Sequence, residues 1–155
     1  MTQQTTPTPA GGPGAILGAW DTHLMNNYGR PQRALVSGRG STVVDEQGNE
    51  YLDLLAGIAV NALGHAHPAV VEAVQRQVAH LGHVSNFFAA GPPVRVAGEL
   101  AARFGDPTAR VFFCNSGAEA TEAAVKLAKQ ATGKPGGIVF QGSFHGRTHL
   151  TMAMT

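Results

Sequence analysis

Apolar residues recur at helical spacing in four stretches of the chain, which indicates four amphipathic helices. Pro68 stands where the second of these begins, and Gly82 stands where its C-cap is expected. In the fourth, Glu122 and Lys126 have the i,i+4 spacing of an ion pair on a solvent-facing side. The helices are predicted over residues 16–28, 68–81, 93–104 and 118–131.

Shorter segments between the helices have the apolar patterns of β-strands. Residues 33–45 and 51–54 flank a turn cluster at Asp45–Asn49, which predicts a small antiparallel hairpin. Val111–Cys114 and Ile138–Phe140 are short apolar runs on either side of the fourth helix. Because strand, helix and strand follow one another within about thirty residues, we predict a βαβ unit and an α/β fold with a mostly parallel sheet.

Composition narrows the class of protein. The 155 residues are enough for one domain, and 11 Lys+Arg against 10 Asp+Glu give a formal net charge of +1. That balance favours neither nucleic acid nor an anionic membrane as a partner. The lone Cys114 excludes an intrachain disulfide, and no apolar run approaches the ~20 residues of a membrane span, so we expect a cytoplasmic chain. Residues 1–14, rich in Thr, Gln, Pro and Gly, are predicted to be a disordered tail.

The turn Asn115-Ser116-Gly117 joins the first apolar run to the fourth helix. Ligands of parallel sheets bind beyond the carboxyl ends of the strands, and a helix N-terminus offers N–H groups and a positive dipole end. One interpretation is therefore an anion site, where Gly117 has no Cβ to obstruct a ligand. The other is a plain turn in which Ser116 serves only as the N-cap.

A second polar loop, residues 141–148, follows the other apolar run. Phe144 or His145 can stack on a planar ring, and Arg147 can bind a carboxylate through two parallel hydrogen bonds. A surface loop with an incidental arginine is the competing interpretation.

Two other kinds of site are not favoured by the motifs. The pairs His65/His67 and His80/His83 have spacings seen in metal sites, but no carboxylate or cysteine completes either pair at a recognised spacing. The sequence contains neither a P-loop nor a Gly-x-Gly-x-x-Gly motif after a strand. We therefore expect neither a metal nor a nucleotide.

Five motifs occur in order along the chain, and the set is far more specific than any of its members. They are Asp-x-x-Gly-x-x-Tyr-Leu-Asp (45–53), Gly-Ile-Ala-Val-Asn-x-Leu-Gly-His-x-His-Pro (57–68), His-Val-Ser-Asn-x-Phe (83–88), Phe-Phe-Cys-Asn-Ser-Gly-Ala-Glu-Ala-x-Glu (112–122) and Phe-His-Gly-Arg-Thr (144–148). Together they resemble the class III (ornithine-type) pyridoxal-phosphate aminotransferases, most closely the branch that acts on N-acetylornithine.

The resemblance covers roughly residues 26–155 and implies a fold type I transferase, a mostly parallel sheet flanked by helices. It implies an N-terminal helix and small-domain hairpin at residues 15–56. Residues 57–155 would begin the large domain that binds pyridoxal phosphate.

The resemblance also implies the site. The Ser116 turn would hold the phosphate of pyridoxal phosphate, Phe144 would pack on the pyridine ring, and Arg147 would bind the substrate's α-carboxylate. The implied cofactor-binding residues are Ser116, Gly117, Ala118, Phe144 and His145, and the implied substrate-binding residues are Arg147, Val60 and Asn61.

One part of the family's machinery is missing from this chain. None of its lysines, Lys126, Lys129 and Lys134, matches the family's Schiff-base lysine, so no catalytic residue is assigned. We expect a truncated N-terminal part that does not catalyse transamination alone.

The reaction implied for the complete protein moves an ω-amino group from N-acetylornithine, or ornithine, to 2-oxoglutarate in arginine biosynthesis. Family members are homodimers, so a dimer is expected of the complete protein. Residues 140–155 are more similar to relatives that use 4-aminobutyrate, which leaves another ω-amino acid as an alternative donor. A non-catalytic remnant or interaction module is the alternative of a different class.

Overall fold

The computed structural model describes residue 12 and residues 14–155, and the chain divides into two compact units at the His83–Val84 bond. The tail predicted for residues 1–14 lies outside the described residues except for Gly12 and Gly14. Within the described part, no helix has the length and apolarity needed to cross a membrane. The domain boundary expected between residues 56 and 57 stays a prediction.

The first unit is organised around a small antiparallel sheet. Its elements are α1 (Ala15–His23), β1 (Leu35–Arg39), β2 (Thr42–Asp45), β3 (Glu50–Leu52), α2 (Ala56–Ala59) and α3 (Pro68–His80). The strands lie in the order β1-β2-β3, and Val44 of the central strand pairs with Ser37 on one side and Glu50 on the other. The predicted hairpin is confirmed.

Helix α1 is shorter than the predicted helix over residues 16–28. It ends at His23 because Leu24 adopts an extended conformation, with ψ of 140°. The chain then turns back, and Arg30 donates from Nε to Asp21 at 2.8 Å. Asn26 and Asn27 lie just beyond the end of the helix. Asparagine favours turns over helix interiors because its side chain competes for backbone hydrogen bonds.

The start of α3 is as predicted, but its end is not. Gly82 is not the C-cap, because Leu81 already leaves the helix with φ of −157°. The Leu81 N–H donates to the Gln77 carbonyl at 2.8 Å, and the Gln77 side-chain amide donates to the Leu81 carbonyl at 2.9 Å. The helix thus ends at Leu81 without a left-handed glycine.

The turn between β2 and β3 is held by the buried carboxylate of Asp45. Asp45 accepts hydrogen bonds from the backbone N–H groups of Gln47 and Asn49, the Asn49 amide and the Tyr51 hydroxyl, at 2.8 to 3.0 Å. Burial alone would raise the pKa of Asp45, but the bonds from Asn49, Tyr51 and Gln47 outweigh it and lower the pKa to about 2.

Acidification should loosen this turn. Because the folded pKa of Asp45 is about 2 and its ordinary value is 3.8, the carboxylate's contribution is complete above that ordinary value and is lost as the pH falls toward 2. Thermal melts followed through the NMR signals of Val43 and Tyr51 should shift downward between about pH 5 and about pH 2. Asp45→Asn should remove part of that shift, and an equal shift in both proteins would contradict the assignment.

Helix α2 is a left-handed turn. The φ angles of Ala56, Gly57, Ile58 and Ala59 are 49°, 63°, 62° and 61°. Asp53 supports this turn, because its Oδ1 accepts the N–H of Ala56 at 2.8 Å. Left-handed backbone costs a non-glycine residue roughly 1–2 kcal/mol, so three of the four residues are strained.

The loop after α2 is fastened to the sheet through His65. Its N–H and carbonyl exchange hydrogen bonds with Gly40 at 2.8 and 2.9 Å, and its Nε2 lies 2.7 Å from Oδ2 of Asp53. The bond to His65 is the largest of the causes that lower the pKa of Asp53. Gly64 is packed so closely that a Cβ on it would lie 2.8 Å from backbone atoms of Gly40.

The second unit contains the helices α4 (Gly91–Phe104), α5 (Gly117–Thr132) and α6 (His149–Ala153). Helices α4 and α5 confirm the third and fourth predicted helices. Each ends at a left-handed glycine, Gly105 with φ of 79° and Gly133 with φ of 67°.

The two strands predicted in the second unit are wrong as secondary structure. Residues 111–114 and 138–140 have no strand assignment, so of the predicted βαβ unit only the helix is present. A strand requires a neighbour for its backbone hydrogen bonds, and neither segment pairs with another in the described part of the chain. Their side chains are exposed accordingly, by 71% at Phe112 and 86% at Phe140.

Candidate functional site

The N-terminus of α5 follows the Asn115-Ser116 turn. The Ser116 hydroxyl accepts the N–H of Glu119 at 3.2 Å, so Ser116 is the N-cap that the plainer interpretation required. The Glu119 carboxylate turns back and accepts the N–H of Asn115 at 2.5 Å. As the first helical residues, Gly117 and Ala118 have N–H groups without an intrahelical acceptor.

Space for a ligand exists at this helix end. A Cβ built on Gly117 would meet no atom within 4 Å, so the approach to the first N–H groups is open. The helix that follows is 16 residues long, and its dipole places partial positive charge at Gly117. The cap at Ser116 and an anion site are therefore compatible, since the Ser116 hydroxyl can still donate its hydrogen.

The polar loop of residues 141–148, which contains Arg147 and is called the arginine loop below, lies directly against the first turn of α5. Gly146 is buried, with φ of 137°. A Cβ on Gly146 would lie 2.7 Å from the Ala118 Cβ and 2.7 Å from Thr151 Oγ1. The loop and the helix thus meet at two small residues, and no larger side chain fits at Gly146.

One turn further along α5, Glu122 holds the same loop. Its Oε1 accepts the Thr148 hydroxyl at 2.6 Å and the Leu150 N–H at 3.1 Å. The bond from Thr148 is the largest of the causes that lower the pKa of Glu122 below its ordinary value. The predicted solvent-facing ion pair of Glu122 with Lys126 is therefore wrong, because the carboxylate is directed to the loop instead.

Two threonines complete the attachment of the loop: Thr148, which ends the fifth motif but was given no role, and Thr151, which no motif includes. The two residues form a capping box at the start of α6, in which the Thr148 N–H donates to Thr151 Oγ1 at 3.0 Å. The Thr151 side chain is fully buried. The Thr-x-x-Thr spacing at residues 148–151, a variant of the usual box, was the available sequence signal.

The side chains of the loop that were predicted to bind ligands differ in exposure. Phe144 is 69% exposed, and the guanidinium carbon of Arg147 lies 5.9 Å from the centroid of its ring. His145 is half-buried, and its Nδ1 is buried without a hydrogen-bond partner among the described residues. An aromatic face, a cation and an unsatisfied ring nitrogen therefore occur within four residues of chain.

Val60 and Asn61 belong to the first unit and are described with it. Val60 is exposed, while the Asn61 backbone donates to Ala56 and accepts from Gly64, both at 2.9 Å. Asn61 lines a cleft of about 490 Å³ with Asp53 and other residues of that unit. Their role in substrate binding stays a prediction.

Metal binding gains no support from the structure. Among residues 12 and 14–155, no group of three or more His, Cys, Asp and Glu side chains is arranged to hold a metal ion. His65, one of the histidines weighed for such a site, bonds to Asp53.

Comparison with known protein families shows which family the chain belongs to. The family described as aminotransferase class-III matches residues 24–155. The chain belongs to this family. Membership confirms the resemblance predicted from the five motifs and the predicted fold class, an α/β transferase of fold type I.

Individual relatives agree with this assignment. The acetylornithine aminotransferase of Corynebacterium efficiens is 57% identical over 145 residues, which cover 90% of this chain and 36% of that protein. The N-acetylornithine aminotransferase structure from Stenotrophomonas maltophilia K279a matches at a TM-score of 0.72 and 40% identity, over 84% of this chain and 36% of that one. A taurine:2-oxoglutarate aminotransferase from Bifidobacterium kashiwanohense, in complex with PLP and glutamate, matches at a TM-score of 0.78 and 27% identity, over 94% and 32%.

The match with the relatives covers only part of their length. It spans about a third of the length of the curated relatives that it matches. The residues described above therefore represent a part of the class-III fold.

Proposed function

We propose that this chain supplies the phosphate-binding helix end and the carboxylate-binding arginine of a pyridoxal-phosphate-dependent aminotransferase. The observation that carries the proposal is the direct packing of the arginine loop on the first turn of α5, through Gly146 and Ala118. This packing couples an anion-binding helix end to a loop with an aromatic ring and a guanidinium.

The residues present fit a phosphate-bearing planar cofactor. The N–H groups of Gly117 and Ala118, with the Ser116 hydroxyl, would hold the phosphate in the open space at Gly117. Phe144 would pack on the pyridine ring, and the unsatisfied Nδ1 of His145 is a group for a bound molecule to satisfy. When bound, pyridoxal phosphate supplies an electron sink for the reacting carbon of an amino acid.

This chain's own contribution is to bind and orient rather than to transfer protons. Arg147 would pair with the substrate α-carboxylate through two parallel hydrogen bonds, which fixes the direction of the substrate. Val60 and Asn61 are proposed to border the substrate channel. Lys126 and Lys129 lie on α5 and Lys134 follows it, and none occupies a motif position of the family's cofactor-bound lysine. We therefore propose that the chain alone does not catalyse transamination.

We propose N-acetylornithine as the donor of the complete protein; 2-oxoglutarate as acceptor and arginine biosynthesis as the setting follow from the family resemblance. The support is the identity of more than half to curated acetylornithine aminotransferases over most of this chain. Ornithine stays within the same proposal. For the complete protein we further propose a cytoplasmic homodimer, from the single cysteine and from the family resemblance.

Titration of the purified chain with pyridoxal phosphate tests the proposal. We expect the ligand to shift the NMR signals of Gly117 and Ala118 and expect no turnover of N-acetylornithine with 2-oxoglutarate. Gly117→Val should weaken binding at least about tenfold, because it fills the open space at the helix end. Gly136→Val is the matched control, since a Cβ there also meets nothing within 4 Å. Equal binding by both variants, or turnover by the chain alone, would refute the corresponding part.

A further inference from the structure

Helix α5 contacts the arginine loop at two positions on one face. Ala118 and Glu122 are four residues apart, so they lie one above the other on the helix surface. Gly146 packs on Ala118 without room for a Cβ, and Thr148 donates its hydroxyl to Glu122. Arg147 is the residue between them, so both of its chain neighbours are fastened to the same helix face.

Glu122 provides the polar half of this fastening. Two donors, the Thr148 hydroxyl and the Leu150 N–H, converge on its Oε1 at 2.6 and 3.1 Å. A carboxylate accepts both at once and forms stronger bonds than a neutral group. Without it, the Leu150 N–H would lose this acceptor, and the Thr148 hydroxyl would be left with Thr151 Oγ1 at 2.7 Å, a partner that does not belong to α5.

We infer that Glu122 is a positioning residue for Arg147, acting through Thr148 without touching the substrate. The inference rests on the proposed function, in which the N-terminus of α5 holds the phosphate. The same helix then fixes both ends of a ligand: its first turn holds the anion, and its second turn sets where the guanidinium meets the carboxylate. Glu122 therefore matters for ligands that have a carboxylate and not for ligands that have a phosphate alone.

Two ligands separate these effects in the purified chain. N-(5′-phosphopyridoxyl)-L-glutamate has both a phosphate and an α-carboxylate, whereas pyridoxamine phosphate has the phosphate and ring without the carboxylate. We expect Glu122→Ala to weaken binding of the first about tenfold and to leave binding of the second unchanged. Arg147→Ala should produce the same selective loss, and the double variant should lose no more than either single one.

A matched pair of substitutions at Thr148 distinguishes the loss of one hydrogen bond from general misfolding. Thr148→Ser keeps the hydroxyl that Glu122 accepts and should retain the selectivity, while the isosteric Thr148→Val should lose it as Glu122→Ala does. Unchanged NMR signals of the last two turns of α5 would show that this helix is still folded in each variant. An equal loss for both ligands, or no loss for either, would overturn the inference. If neither ligand binds the unaltered chain, the proposed function itself fails, and the positioning role fails with it.

Discussion

Gly64→Ala should lower the free energy of unfolding of the first unit by about 3 kcal/mol. The backbone of Gly64 has φ of 78°, which an alanine adopts only under strain. The larger effect is steric, because the new Cβ would lie 2.8 Å from three backbone atoms of Gly40. Gly40 is itself fixed by two hydrogen bonds to His65, so the sheet edge cannot move aside without losing them.

Urea unfolding followed by the NMR signals of the sheet measures this loss. Gly48→Ala is the control, because Gly48 has a similar φ of 86° while a Cβ on it meets nothing within 4 Å. It should lose only about 1 kcal/mol, the cost of the left-handed backbone. A comparable loss in the two variants would mean that the close approach to Gly40 does not contribute.

Gly146→Ala should detach the arginine loop from α5 while leaving the helix folded. The added Cβ would overlap both the Ala118 Cβ and Thr151 Oγ1 at 2.7 Å, at a buried position with φ of 137°. A local penalty of about 3 kcal/mol corresponds to about a hundredfold loss of amide exchange protection. The Thr148 and Leu150 amides report this loss, because Thr151 Oγ1 and the Glu122 carboxylate are their acceptors.

Two further variants make the Gly146 result specific. Gly142→Ala has a left-handed backbone, with φ of 78°, and open space around its Cβ, so its protection at Thr148 and Leu150 should be unchanged. Ala118→Gly combined with Gly146→Ala removes one of the two overlaps and should recover part of the protection. If the double variant recovers nothing, the contact with Ala118 is not the reason for the glycine.

Local signals explain which parts of the fold the sequence could predict. The helix over residues 118–131 was predictable because its apolar periodicity, its N-cap at Ser116 and its C-terminal Gly133 all lie within one segment. The hairpin around Asp45 was predictable for the same reason, since the turn residues lie between the two strands that they join. In both cases neighbouring residues determine the structure.

Interactions between distant residues explain the errors in the second unit. The acceptor role of Glu122 joins residues 26 positions apart, whereas the ion pair with Lys126 was inferred from helix spacing alone. The runs at 111–114 and 138–140 have strand-like composition, but strand formation depends on a partner strand and not on the run itself. The fit of Gly146 against Ala118 likewise depends on a contact that no local pattern contains.

The left-handed turn of α2 changes which residues suit its four positions. Alanine is the best residue in an ordinary helix, yet at Ala56 and Ala59 the backbone has the mirror-image twist. At these two positions the usual scale of helix preference therefore does not apply, and achiral glycine is the natural residue that fits without strain. A D-alanine would fit at least as well, since its favoured φ has the sign that the chain adopts here. In this short segment the backbone therefore adopts a conformation that the L-amino acids forming it disfavour.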